Sequence, residues 1–283
     1  MNWNKNFASI HAYLCGDGYV IVNPESQKQK YYHIGFRNTN LTLLKDFQEK
    51  FEKIFGIRPI ITNQIDRCKI QNKKLTIFLL QKFGSFYSKD WVMPTMNEEE
   101  KSAWLRSYFD CDGWVSVIKS KDRKIGLESI NLKGLTQIKE VLLQDFKINS
   151  SLKPHKNRNT WSITICGKDD LEKFNKKIGF LHPNKSRKLN EALDSYANYN
   201  WKIPENSKIF LKFIKEKGRT STKRKQVRFN SILKPNLENL QNELSKFQVR
   251  SRLNGPWKNP FGTKWYCLSI SLKDYNELIG GAN

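Results

Sequence analysis

The sequence predicts an α+β protein in which one unit recurs: helix, two strands, helix, two strands and a closing helix. Four antiparallel strands lie on one face of the helices, and the other sheet face stays open. Two observations carry this. Residues 8–20 (ASIHAYLCGDGYV) and 103–115 (AWLRSYFDCDGWV) have one pattern, an apolar helix-compatible run ending in Asp-Gly, an aromatic and Val. The stretch after each run also repeats, a pair of alternating segments and then apolar residues at helical spacing.

In the first copy, YVIV after Gly18 reads as a strand, and a polar turn around Asn23-Pro24 leads into YYHIGFRN. There Tyr32, Ile34 and Phe36 alternate with Tyr31, His33, Gly35 and Arg37, the period of a half-buried strand. From Leu41 to Phe55, Leu44, Phe47, Phe51 and Phe55 share one helical face. Ile57–Ile61 and Arg67–Gln71 suggest a second hairpin, and Lys74–Phe83 a helix. The second copy keeps the order. WVSVIKS and IGLESIN are strands, Leu135–Phe146 a helix, Ser150–His155 and Trp161–Cys166 strands, and Lys168–Ile178 a helix. Lys185–Asn198 reads as a basic linking helix. The module boundaries are 1–97 for the first, 98–199 for the second with its linking helix, and 200–283 for a basic C-terminal domain.

That last domain reads as a worn third copy. IFLKFIKEKGRTS (209–221) lies on WLRSYFDCDGWVS, with Gly218 where Gly113 stands, and a helix–strand–strand–helix rhythm continues to residue 280. Lys217 stands in place of Asp112, and Lys212 and Glu216 replace the small pair Ser107 and Cys111. Such a copy has lost the acid and a close-packing stripe. The alternative is an unrelated basic domain of winged-helix or mixed type.

The chain has 283 residues with 50 Lys+Arg against 27 Asp+Glu, a net charge of +23. Its 17 Phe, 10 Tyr and 8 Trp can fill real cores, which excludes a disordered basic tail. An excess of this size opposes folding by self-repulsion and points to a polyanionic partner, nucleic acid first. No apolar run is long enough to span a membrane. Met1–Ser9 shows no secretory pattern, so the expected location is the cytoplasm, or an organellar matrix in a eukaryote. The five Cys (15, 68, 111, 166, 267) and four His (11, 33, 155, 182) are scattered, without structural-zinc spacing.

An Asp-Gly pair alone is a turn signature. Here each pair ends a helix with small residues four apart, Ala12 and Gly16 in one and Ser107 and Cys111 in the other. Helices with such stripes can pack closely, which brings Asp17 and Asp112 side by side. Two neighbouring carboxylates in a basic protein suit Mg²⁺, which binds through one or two carboxylates plus phosphate oxygens. The plainer alternative is that both acids only cap helix ends.

IHAYLCGDG (10–18) and LRSYFDCDG (105–113) resemble the nine-residue signature of the LAGLIDADG homing endonucleases, and the hairpins and helices come in that family's order. The resemblance covers residues 1–195 and, as a worn copy, 205–280. It is to the single-chain, two-signature type of archaeal or intein-like members. It implies pseudo-symmetric tandem LAGLIDADG modules, the signature helices at the central interface and two four-stranded sheets forming a saddle on DNA. It implies that Asp17 and Asp112 hold two or three Mg²⁺ ions, Mn²⁺ or Ca²⁺ substituting for binding, and that Lys89 and Lys185 stand near the metal centre. The departures are Cys15 where the second copy has Asp110, and His11 or Arg106 at a position that is small and apolar in the family.

The activity so implied is site-specific cleavage of both strands of a long asymmetric DNA duplex by a monomer. The competing readings are an RNA-binding intron maturase and a non-cleaving DNA-binding protein using the same saddle. By alternation and charge, the expected nucleic-acid contacts in the first copy are Tyr31, His33, Arg37, Arg58 and Arg67. In the second they are Lys119, Lys121, Arg123, Lys153, His155 and Arg158, with Arg224 and Arg228 beyond.

Overall fold

A computed structural model describes residues 3–23, 26–28, 31–118, 122–155, 157–196, 199–258 and 264–280. The chain divides into two compact units, Met1–Tyr196 and Ala197–Asn283.

The first unit is built on two buried helices. Helix α1 (Lys5–Cys15) starts where the Asn4 side chain accepts the N–H groups of Asn6 and Phe7. Every residue from Phe7 to Cys15 is buried, as befits a helix apolar on all sides. It is followed by β1 (Gly18–Val22), β2 (Tyr32–Arg37), α2 (Leu41–Phe55), β3 (Ile60–Ile61), β4 (Arg67–Gln71) and α3 (Lys73–Phe83). The second buried helix, α4 (Glu98–Asp112), starts with a capping box between Asn97 and Glu100. Three glutamates in its first turn sit at the positive end of the helix dipole. Then come β5 (Gly113–Ile118), β6 (Asp122–Ser129), α5 (Leu132–Gln144), β7 (Ser151–Pro154), β8 (Trp161–Cys166), α6 (Lys168–Lys177) and α7 (Pro183–Asp194).

Both halves form four-stranded antiparallel sheets of one order, β1-β2-β4-β3 and β5-β6-β8-β7. In β2, Ile34 and Phe36 point to the helices, where Leu43, Leu44, Phe47 and Phe51 of α2 are buried. Each such side chain contributes about 1.5–3 kcal/mol of burial. In β6 and β8 the inward residues are Ile125, Leu127, Ile163 and Ile165.

Two elements differ from the sequence expectation. The strand expected over Ile57–Ile61 shrinks to β3, because Gly56 turns left-handed to end α2 and Pro59 has no N–H to give a ladder. The helix expected over Lys185–Asn198 begins at Pro183, a residue suited to the first helical turn, and ends at Asp194. It is no free linker: α7 packs against α6, β5 and β6.

The second unit contains α8 (Ser207–Lys217), β9 (Arg219–Ser221), β10 (Gln226–Ser231), α9 (Lys234–Lys246), β11 (Ser251–Lys258), β12 (Lys264–Ser271) and α10 (Leu272–Gly280). Its sheet order, β9-β10-β12-β11, repeats that of the other two. It has its own core, with Phe210 and Ile214 of α8 against Val227, Phe229, Leu237, Leu240 and Leu268. Lys212 and Glu216 are left exposed on α8.

Candidate active site and nucleic-acid interface

Helices α1 and α4 pack tightly against each other. At Gly16, a Cβ would lie 2.6 Å from Cβ of Cys111 and 3.0 Å from its Sγ, so only glycine admits this approach. One turn and more away, Trp104 Nε1 donates to His11 Nδ1 at 3.0 Å, joining the two helices. Burial pushes the His11 pKa down to about 3, so the ring is neutral and its Nδ1 accepts.

This contact carries two acids to one place. Asp17 follows Gly16, the residue that caps α1, and Asp112 is the last residue of α4. Asn38 Nδ2 donates to Asp17 Oδ2 at 2.9 Å, and the Arg37 N–H donates to the Asp17 carbonyl at 3.0 Å. The Tyr108 side chain lies beside Asp112 and favours its ionised form. Burial raises both carboxyl pKa values, and the charge of Asp17 raises Asp112 further, to about 7.

Asp110 is 1% exposed and works differently. Its carboxylate accepts the N–H groups of Leu181 (3.1 Å) and His182 (2.9 Å), fixing the start of α7. Burial lifts its pKa to about 6 against those two bonds. One turn into α7, Lys185 Nζ donates to the carbonyls of Phe109 (3.1 Å), Asp110 (2.6 Å) and Cys111 (3.0 Å). An ammonium has three protons, and these contacts use all of them on the negative end of α4. The charge of Lys185 lowers both Asp17 and Asp112, while burial lowers its own pKa. Lys89 is exposed on the connection between α3 and α4.

Strand register assigns the expected contact residues to faces. On the open face of the first sheet stand His33, Arg37 and Arg67, with Arg37 and Arg67 cross-strand partners. Tyr31, just before β2, stacks on His33 with centroids 5.5 Å apart. Arg67 is paired with Asp66 at 2.6 Å. Arg58 is not on this face: it pairs with Glu52 and donates to Gln48 Oε1 at 3.0 Å, both on α2. The shortened β3 leaves it on the helix side.

On the second sheet Lys153 is outward and His155 follows β7, while the exposed Arg158 lies 3.8 Å from Glu128. Arg123 corrects the alternation. It shares a face with Ile125 and Leu127, so it points to the helices. There it donates to Ser195 Oγ (2.6 Å) and the Ser195 carbonyl (2.7 Å) and lies 4.6 Å over the Tyr196 ring. Lys119 and Lys121 lie outside the described residues. Arg224 is in the β9–β10 turn, and Arg228 is on β10.

Several residues of this region escape a reading by charge. Asn38 and Asp110 act through hydrogen bonds to groups far away in sequence, and Tyr108 acts on Asp112 one helical turn on. Lys69, Gln71, Lys124 and Thr164 are outward by register. Tyr19 lies across Gly35 and Trp114 across Gly126 on the open faces, and a Cβ at either glycine would run into the ring. The aromatic after each Asp-Gly was the signal for this pair.

Residues 99–179 match the family model of the LAGLIDADG-like domain. The matched span contains the second signature, 105–113, with Asp112, and its α4 is the partner of α1 in the acid-bearing contact. Over 227 residues, 76% of the chain, the sequence is 27% identical to a replication factor C small subunit of Methanocaldococcus jannaschii and covers 12% of it. For the protein of that name from Thermococcus kodakarensis the figures are 29% over 205 residues, 68% of this chain and 22% of the relative. A glutamine–fructose-6-phosphate aminotransferase of M. jannaschii is 22% identical over 222 residues, 72% of this chain and 19% of that protein. The chain thus spans less than a quarter of each of these curated relatives. Among solved structures, the homing endonuclease I-DmoI in complex with DNA and Mn is 15% identical, with a TM-score of 0.45 over 62% of this chain and 98% of that one. The homing endonuclease I-WcaI bound to its DNA recognition sequence is 16% identical, with a TM-score of 0.45 over 67% and 88%.

Proposed function

We propose that the chain is a site-specific, divalent-metal-dependent endonuclease that cuts both strands of a long asymmetric DNA site, working as a monomer. The observation that carries this is the meeting of Asp17 and Asp112 at the ends of two helices that only Gly16 lets approach so closely. The LAGLIDADG-like domain over residues 99–179 supports it, as does the net charge of +23. Relatives with unrelated names contain a similar segment as a small part of their length. A segment found in such different proteins behaves as an inserted module, which suits an element that spreads by cutting DNA.

The donor set fits a hard cation. Carboxylate oxygens suit Mg²⁺, and two buried acids that raise each other's energy are relieved by positive charge. Among the described residues no cluster of three or more His, Cys, Asp or Glu side chains could hold a metal, so phosphate oxygens and water must complete the coordination. Bound there, divalent cations supply an activated water and stabilise charge on the leaving oxygen. Asn38 orients Asp17, and Tyr108 favours the ionised form of Asp112. Lys185 favours their ionised forms while holding the end of α4, and Asp110 holds the segment that delivers Lys185. Tyr19, His33, Arg37, Lys124 and Lys153 face the duplex.

The test uses a library of plasmids with randomised duplex inserts, incubated with the chain and Mg²⁺. The reading expects linearised plasmids with a shared sequence at the break, and none when EDTA replaces Mg²⁺. Recovery of no linear product, with selective protection of a structured intron RNA instead, would refute it.

A further inference from the structure

The second unit has the same sheet order as the two halves of the first but a different open face. At the position of Tyr19 and Trp114, right after the glycine that Gly18, Gly113 and Gly218 supply in the three copies, stands Arg219. Where Gly35 and Gly126 face those aromatics, Arg219 faces Arg228. The register continues this line across the sheet. Arg228 pairs with Ser269, and Ser269 pairs with Arg252. Arg252, Ser269, Arg228 and Arg219 therefore form one transverse row over all four strands, about 14 Å long at the usual strand spacing.

Like charges directly opposite each other destabilise a sheet. None of the four strands contains an Asp or Glu that could offset the row. Beside it, Asn230 and Asn254 both pair with Cys267, so they project from the same face. At the turn between β9 and β10, Lys223, Arg224 and Lys225 are all exposed. From residue 197 onward there are seventeen Lys and Arg against six Asp and Glu. Guanidinium groups beside amides are what reads guanine and adenine edges and grips phosphate. The helix that precedes the row ends in Lys217, so no carboxylate is offered for cutting.

We propose that the open sheet face of the second unit is a duplex-DNA-binding surface, a worn third module that grips the flank of the target through the row Arg219–Arg228–Arg252 without cleaving it. This rests on the endonuclease reading only in taking DNA as the chain's ligand. Amide and guanidinium groups make it a sequence-reading surface, and the turn cations add non-specific grip.

The experiment compares the full chain with the triple variant Arg219→Ala/Arg228→Ala/Arg252→Ala and with the corresponding triple lysine variant. Affinity for the selected target, carried in a longer duplex, is measured in Ca²⁺ from 50 to 200 mM salt, together with a hydroxyl-radical footprint. Three phosphate contacts contribute about 2.7 to the salt slope, so the wild-type advantage over the alanine variant should shrink about 40-fold across that range. Protection on one flank should disappear while the central cut persists. The lysine variant should keep the slope, since it keeps the charge. Unchanged melting curves show that the variants fold. An alanine variant with wild-type slope and footprint overturns this inference alone, as does a loss confined to RNA binding. A chain that binds no duplex sinks the endonuclease reading with it.

Discussion

Gly16→Ala tests the helix contact on which the centre depends. The added Cβ would lie 2.6 Å from Cβ of Cys111. Restoring an ordinary carbon–carbon contact of about 3.6 Å parts the helices by about 1 Å at their acid-bearing ends. Overpacking of this kind costs about 1–3 kcal/mol. For a unit of this size, 2 kcal/mol lowers Tm by about 4–8 °C. A shift of about 1 Å between catalytic groups can lower the rate of cleavage about 100-fold. Calorimetry and single-turnover cleavage of the selected duplex measure the two effects. Rescue makes the test specific. Cys111→Gly removes the clashing Cβ, so the double variant should be more stable than the two single effects sum to, even though glycine in a helix costs about 1 kcal/mol. Cys111→Ala leaves that Cβ in place and should rescue little. A Gly16→Ala protein with wild-type Tm and rate would refute the close approach of α1 and α4.

Two further outcomes are expected, one at this interface and one where α7 meets the end of α4. Unfolded histidine titrates near the ordinary 6.5 and His11 in the fold at about 3, so between these values the unfolded chain holds the extra proton. This contribution to stability is present above pH 6.5 and is lost as pH falls, by up to about 1.4 kcal/mol per pH unit. Urea unfolding at pH 7, 6 and 5 should show wild type losing stability relative to His11→Gln, and parallel curves would count against a buried neutral ring. Lys185→Met leaves three carbonyls at the end of α4 without their cation. Hydrogen bonds to charged groups are worth about 1.5–3 kcal/mol, so Tm should drop and cleavage fall at least about tenfold, whereas Lys185→Arg should recover part of both.

The elements were legible in the sequence because their signals are local. The stripe Leu44, Phe47, Phe51 and the alternation Ile34, Phe36 name a helix and a strand without any partner. Arg123 was legible too, since it shares parity with Ile125 and Leu127, but its charge outweighed its phase. Arg58 follows Gly56 and precedes Pro59, a pair that ends one element and shortens the next. The features that remained hidden depend on choices between partners. Tyr13 and Tyr108 occupy the same place in the two signatures, yet Tyr13 bonds Asp46 and Tyr108 lies beside Asp112. Asp110 meets a backbone more than seventy residues away, and no periodicity encodes that. The arginine row likewise exists only once register is set, because Arg219, Arg228 and Arg252 are far apart along the chain.

The central claim is that Asp17 and Asp112 form one cutting centre. It is tested most directly by single-turnover cleavage of the selected duplex in Mg²⁺ by Asp17→Asn and Asp112→Asn, at protein concentrations that saturate binding. Both variants are predicted to bind like wild type in Ca²⁺ and to lose double-strand cleavage by a factor of at least about 1,000, as expected when groups that act only in the transition state are removed. Double-strand cleavage at the wild-type rate by either variant would contradict it.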